Sequence, residues 1–286
     1  MPLNTFLRLE FATPADFFGG IGVYKASLLE AIAAFGSVSA AARVMKAEPR
    51  KLRAIVSDIN EDFGGIIVLK RGRSGGAVVT AEGLALLQQF RTIEEGIRRV
   101  FAEDLREIEK LIGSDPQRPR HWLDFDRWRQ LSSPKIENSK RRAYATKSAI
   151  ANSTPLSVHV YLALFSEKLW IGEGYVIMLR AIARYGSIAA AARAMGWTYY
   201  HAKHRVTQLN RDLGDIVLTQ RGRDGGATLT RQGAELTDRF CRIQCGIYDK
   251  FAKELAFAAH LAGNDKKGRK IDPSYARLME LRAELL

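Results

Sequence analysis

Cysteine is nearly absent: Cys241 and Cys245 are the only two in 286 residues. They stand four apart in a helical pattern, a poor geometry for a disulfide. No neighbouring Cys or His completes a zinc site. Long apolar runs are missing as well, so no stretch approaches the length of a membrane span. Met1 to Phe11 alternates apolar and polar residues instead of placing an apolar core behind a basic start, and no signal peptide is read there. The expected location is cytoplasmic and nucleoid-associated, with no membrane partner. Acid is in deficit: 31 Asp and Glu face 44 Lys and Arg, a formal net charge of +13 and a pI of about 9.9. Such an excess favours polyanions. Catalytic groupings are missing too. The glycine-rich loops are not followed by Lys-Ser or Lys-Thr, so there is no Walker loop. His201 and His204 have no nearby carboxylate or cysteine with which to form a site. The expectation is a protein that is not an enzyme and needs no cofactor or metal.

What the chain does contain is itself, twice. Leu29 to Leu105 aligns without a gap with Leu179 to Leu255. Gly36 pairs with Gly186, Ser37 with Ser187, Asn60 with Asn210, Arg71-Gly72-Arg73 with Arg221-Gly222-Arg223, and Gly75-Gly76 with Gly225-Gly226. A repeat of this length is a duplicated domain rather than a solenoid unit. The predicted limits are 1–112 for the first repeat, 113–155 for a basic linker, 156–262 for the second repeat, and 263–286 for a basic tail with a short helix.

Each repeat opens with a period-two strand, Phe6–Phe11 or Ser157–Leu162, followed by a glycine-containing connection. A helix comes next, from about Lys25 to Phe35, with Leu28, Leu29, Ile32 and Phe35 as its buried stripe. Met178, Leu179, Ile182 and Tyr185 are the counterparts. Gly36 and Gly186 are C-cap glycines, and Ser37 and Ser187 are N-caps. They introduce a short alanine-rich helix whose small residues suit the tight crossing of a helix-turn-helix.

The third helix starts at Pro49 or at Tyr199, the latter capped by Thr198. Leu52, Val56, Ile59 and Phe63 form its inner face, matched by Ala202, Val206, Leu209 and Leu213. Its outer face carries Arg50, Lys51 and Arg53 in the first repeat, and Tyr200, His201, Lys203 and His204 in the second. A hairpin follows, its loop holding Arg71 and Arg73, or Arg221 and Arg223. Behind a helix-turn-helix such a hairpin is a wing, whose arginines supply charge for phosphate. Thr80 and Thr230 then cap long helices, Ala81 to Ile112 and Arg231 to Leu261. Leu84, Leu87, Ile93, Ile97 and Phe101 repeat along the first.

These pieces together resemble the N-terminal domain of the ModE family of molybdate-responsive regulators. The resemblance is carried by Leu28–Ile32, Gly36–Ala42, Asn60 and Arg73–Thr80 and by the same set in the second repeat. The helix-turn-helix core is also similar to that of LysR-type regulators. ModE proteins pair as homodimers through this domain and read DNA with two winged helices. The resemblance therefore implies a mainly α fold with small β: tandem winged helix-turn-helix domains with long linker helices, forming a single-chain pseudo-dimer. Too few residues follow Leu261 for a molybdate-binding domain, so molybdate sensing is not carried over.

The two third helices differ, and the acids Asp58, Glu61 and Asp62 on the first would repel phosphate. Two unlike half-sites, or one copy that binds weakly, are the readings this leaves. The function expected is that of a sequence-specific transcriptional regulator of bacterial type acting on double-stranded DNA. A second copy of the chain or the transcription machinery are the further partners considered. The alternatives are an architectural DNA protein of low specificity and a protein-interaction module built on degenerate winged helices. Lys140-Arg141-Arg142 and Lys266–Lys270 could follow a phosphate backbone or stand solvated. Trp122, Phe125 and Trp128 could line one face of a short linker helix. The tail, with Tyr275, Leu278, Met279, Leu281 and Leu285, could dock on the body or mediate oligomerisation.

Overall fold

A computed structural model describes residues 4–12, 16–70, 76–112, 156–165, 170–220, 226–262, 269–270, 281 and 284–285. The described chain is mostly helical with small sheets. In the first repeat the order is β1 (Asn4–Ala12), β2 (Asp16–Gly22), α1 (Val23–Phe35), α2 (Val38–Val44), α3 (Pro49–Phe63), β3 (Ile67–Leu69), β4 (Ala77–Val79), α4 (Ala81–Val100) and α5 (Ala102–Ile112). The second repeat runs in the same order: β5 (Ser157–Phe165), β6 (Trp170–Gly172), α6 (Glu173–Tyr185), α7 (Ile188–Ala194), α8 (Tyr199–Leu213), β7 (Val217–Thr219), β8 (Ala227–Leu229), α9 (Arg231–Lys250) and α10 (Ala252–Ala262). A two-residue strand, β9 (Arg269–Lys270), follows.

The opening strands belong to one five-stranded sheet, ordered β6-β5-β1-β2-β9. β1 pairs antiparallel with β5, placing Leu9 opposite Val160 and Leu7 opposite Leu162. All four side chains are fully buried. Period-two alternation sets both inward faces on one side of the sheet, and a one-residue slip would turn them out together. The glycine-containing connection expected after the first strand, residues 19–22, lies in a strand, β2, which doubles back to pair with β1. Of the one expected in the second repeat, Gly172 ends β6, which pairs with β5, and Glu173 and Gly174 open α6.

The long helices are not continuous. α4 ends at Val100 and α9 at Lys250, and the capping residues Phe101 and Phe251 lie outside helical geometry (φ −106° and −121°). The cause is a reciprocal contact between the repeats. The Phe251 ring lies over Gly96, where an added Cβ would come within 2.4 Å of it. The Phe101 ring lies over Gly246, where the distance would be 2.7 Å. Each helix breaks at the aromatic residue whose ring enters the notch left by the other repeat's glycine. α10 then packs on α4, and α5 on α9. Asp104 on α5 pairs with Arg239 and Arg242 on α9 at 3.1 and 2.9 Å.

Three apolar positions differ from the expected stripes. Phe35 and Tyr185 are exposed, because each is the last residue of its helix and projects past the body that the preceding turns pack against. Leu84 is also exposed, and Leu86, Phe90, Ile93 and Ile97 form the inward face of α4 instead. Leu281 and Leu285 are buried and Glu284 pairs with Arg184 at 2.7 Å, so this part of the tail docks on the body. Tyr275, Leu278, Met279, Trp122, Phe125, Trp128, Lys140-Arg141-Arg142 and Lys266–Gly268 lie outside the described residues. Among the described residues no single helix is long and apolar enough to cross a membrane, and no group of His, Cys, Asp and Glu could hold a metal ion.

The two thiols differ sharply. Cys241 is buried, and burial is the main cause raising its pKa, only partly opposed by Arg180, whose Nη1 lies 3.1 Å from Sγ. Cys245 is exposed. Since the thiolate is the reactive form, a maleimide titration of the native protein should label Cys245 first and Cys241 only on unfolding. Equal labelling rates would show that α9 opens in solution.

Candidate nucleic-acid interface

The sharp turn between α1 and α2 is built by two adjacent residues. Gly36 takes the left-handed conformation (φ 71°) and its N–H closes on Ile32 O at 2.8 Å. Ser37 returns to extended geometry and its Oγ accepts from Ala40 N–H at 3.1 Å. Gly186 (φ 68°) and Ser187 repeat this between α6 and α7. A glycine stops one helix without steric cost and a serine starts the next. The alanines Ala41, Ala42, Ala191 and Ala192 sit buried at the crossing.

α3 and α8 are laid across this support. Leu52, Val56, Ile59 and Phe63 are buried under α3, as are Ala202, Val206, Leu209 and Leu213 under α8. Asn60 ties the end of α3 to the wing, its Nδ2 donating to Ile67 O and its Oδ1 accepting from Ile67 N–H, both at 2.8 Å. Asn210 makes the matching pair with Val217 at 2.7 and 3.0 Å. Ala77 N–H and Ala227 N–H donate back to Gly36 O and Gly186 O. Helix, turn and hairpin base are thereby one hydrogen-bonded frame. The wing arginines Arg71, Arg73, Arg221 and Arg223 lie outside the described residues.

The outer faces carry the expected side chains. Arg50, Lys51 and Arg53 are exposed on α3. Lys51 makes only a long, solvent-exposed contact with Glu48, 3.5 Å, of the sort worth well under about 1 kcal/mol. Tyr200, His201, Lys203 and His204 are exposed on α8, Tyr200 at 79%. Tyr200 stacks on His204 (centroids 6.4 Å apart), and the Lys203 ammonium sits 5.8 Å from the Tyr199 ring centroid. Thr198 caps α8 by accepting from His201 N–H, whereas Glu48 gives α3 no side-chain cap.

One acid assigned to the outer face of α3 is not there. Asp62 is 3% exposed, turned inward, and accepts from Lys25 Nζ at 2.5 Å and from Gly20 N–H at 3.3 Å. Its charge is neutralised inside the fold, so it does not confront phosphate. Asp58 and Glu61 remain exposed.

The second frame is similar to that of a known family. Residues 176–234 match the bacterial regulatory helix-turn-helix protein family of lysR type. No curated protein and no solved structure matches the chain. The LysR-type segment spans most of α6, all of α7, α8 and the β7–β8 hairpin, and the first turn of α9. This match supports a winged helix-turn-helix at residues 176–234 and suggests a DNA-binding transcription regulator.

The site also uses residues that the sequence pattern did not single out. Trp197 and Arg205 contact His201 on α8, and Arg205 is in turn held by Tyr175 on α6. A signal for them was present. At the corresponding positions the first repeat has Lys25, Ala47 and Ile55, so these are among the places where the repeats diverge most in chemistry.

Proposed function

We propose that this protein is a sequence-specific transcriptional regulator that binds double-stranded DNA with two unlike winged helix-turn-helix domains joined as a single-chain pseudo-dimer. One observation carries the reading. α3 and α8 each bury one face on a helix-turn-helix frame and present the other to solvent, and α8 lies within the LysR-type segment. In the helix-turn-helix mode, side chains near the N-terminus of the recognition helix reach base edges in the major groove. Those side chains are Arg50, Lys51 and Arg53 on α3, and Tyr200, His201, Lys203 and His204 on α8. Arg71, Arg73, Arg221 and Arg223 of the wings hold phosphates. The first reader is cationic and the second is aromatic and imidazole-rich, so the preferred site has two different halves.

Selection of bound fragments from a random DNA pool, at near-physiological salt with excess competitor, tests this. The expected product is an asymmetric site of two unlike halves. Lys203→Ala should flatten base preference within one half. A uniform loss of affinity on all sequences, with a shallower salt dependence, would make Lys203 a phosphate contact instead. Binding without enrichment would replace the regulator with an architectural DNA protein.

A further inference from the structure

Arg205 lies on α8 one turn beyond His201, on the side facing the body. Its guanidinium sits 5.0 Å from the Tyr175 ring centroid on α6, and its Nη1 donates to Tyr175 Oη. Arg205 Nε approaches His201 Nε2 at 3.4 Å. An arginine Nε always carries its hydrogen and never accepts. In this contact His201 Nε2 is the acceptor, an arrangement that calls for the tautomer protonated on Nδ1. The Trp197 ring, 4.7 Å away and tilted by 47°, limits the imidazole from another side. Nothing equivalent can form in the first repeat, where Lys25, Ile55 and Lys51 occupy the three positions.

We infer that Tyr175 is a positioning residue for base recognition: through Arg205 it holds His201 as a neutral imidazole whose Nδ1–H is the donor offered to a base acceptor in the major groove. This rests on the regulator reading above. The acceptors available there are guanine N7 and O6, adenine N7 and thymine O4. A neutral donor adds discrimination among bases without adding a phosphate-seeking charge. The corresponding residue in the first repeat, Lys51, brings a charge instead.

Two measurements test this. Nitrogen NMR of the histidine rings in the intact protein, without DNA, should show His201 protonated on Nδ1, and a mixture of tautomers in Tyr175→Phe. Protonation on Nε2 in the unaltered protein overturns the inference. Fragment selection should then show that Tyr175→Phe relaxes preference about tenfold at one base pair of the second half. The first half, the melting temperature and the salt slope should stay unchanged. His201→Ala should relax the same base pair. A merely structural role for Tyr175 would lower the melting temperature and weaken all sequences alike, and that result, or an unchanged preference, overturns the inference while leaving the regulator reading intact. No enrichment by the unaltered protein overturns both, and the tautomer still reports separately whether Tyr175 and Arg205 hold the ring.

Discussion

Arg91→Met should destabilise the protein by about 3–5 kcal/mol, the range for removing one partner of a buried charged network. Arg91 is 9% exposed at the centre of such a network. Its Nε and Nη2 donate to the two oxygens of Glu30 at 2.7 and 2.8 Å, its Nη1 to Glu94 Oε2 at 2.5 Å, and its Nη2 also to Ser27 Oγ at 3.1 Å. The fork-shaped guanidinium serves two carboxylates at once, which an ammonium cannot do. Burial lowers the guanidinium pKa, but the hydrogen bonds and charges of Glu30 and Glu94 more than reverse this, so it is raised on balance. Methionine would fill the space and leave Glu30 and Glu94 without that partner in the interior. The second repeat supplies the control. Arg180, at the position of Glu30, meets Asp238 only at 3.7 Å and is one-third exposed. Arg180→Met should cost less than about 1 kcal/mol. Urea denaturation of both variants decides the matter, and equal losses would mean that the Arg91 network is solvated and its geometry unimportant.

Phe251→Ala is the second large effect, about 3–5 kcal/mol as for other buried aromatic truncations. The ring is 5% exposed and fills the notch over Gly96. Gly96→Ala alone should cost about 1–3 kcal/mol, because the new methyl would overlap the ring. The double variant should lose clearly less than the sum, since alanine at 96 then occupies part of the space that the ring vacates. A double-mutant cycle measures this coupling directly. Strict additivity would show that the ring and the glycine notch do not meet in solution.

The helix-turn-helix frames were legible in the sequence because their determinants are local. Gly36-Ser37 and Gly186-Ser187 specify a stop and a start within two residues, and the inner faces of α3 and α8 follow from helical periodicity alone. The breaks at Phe101 and Phe251 were not legible. No proline or glycine marks them, and the cause is a ring seated in a glycine notch of the other repeat. The same holds for β1 and β5. Alternation identified the strands, but their pairing with each other depends on a partner in the other repeat. Asp62 looked like an outer-face acid because its place in the sequence does not reveal Lys25 on α1. The support behind His201 was not legible for the same reason: Tyr175 reaches it through Arg205 and stands on a different helix.

The strand pairing at the centre of the five-stranded sheet has a consequence for abundance. Where two separate chains must meet to complete a sheet, the fraction assembled falls as the protein is diluted. β1 and β5 are tethered to each other, so their pairing is unimolecular and does not fall off with dilution. A few molecules per cell would have this sheet formed as completely as a few thousand. A substitution in one strand is also carried once and not imposed on both halves.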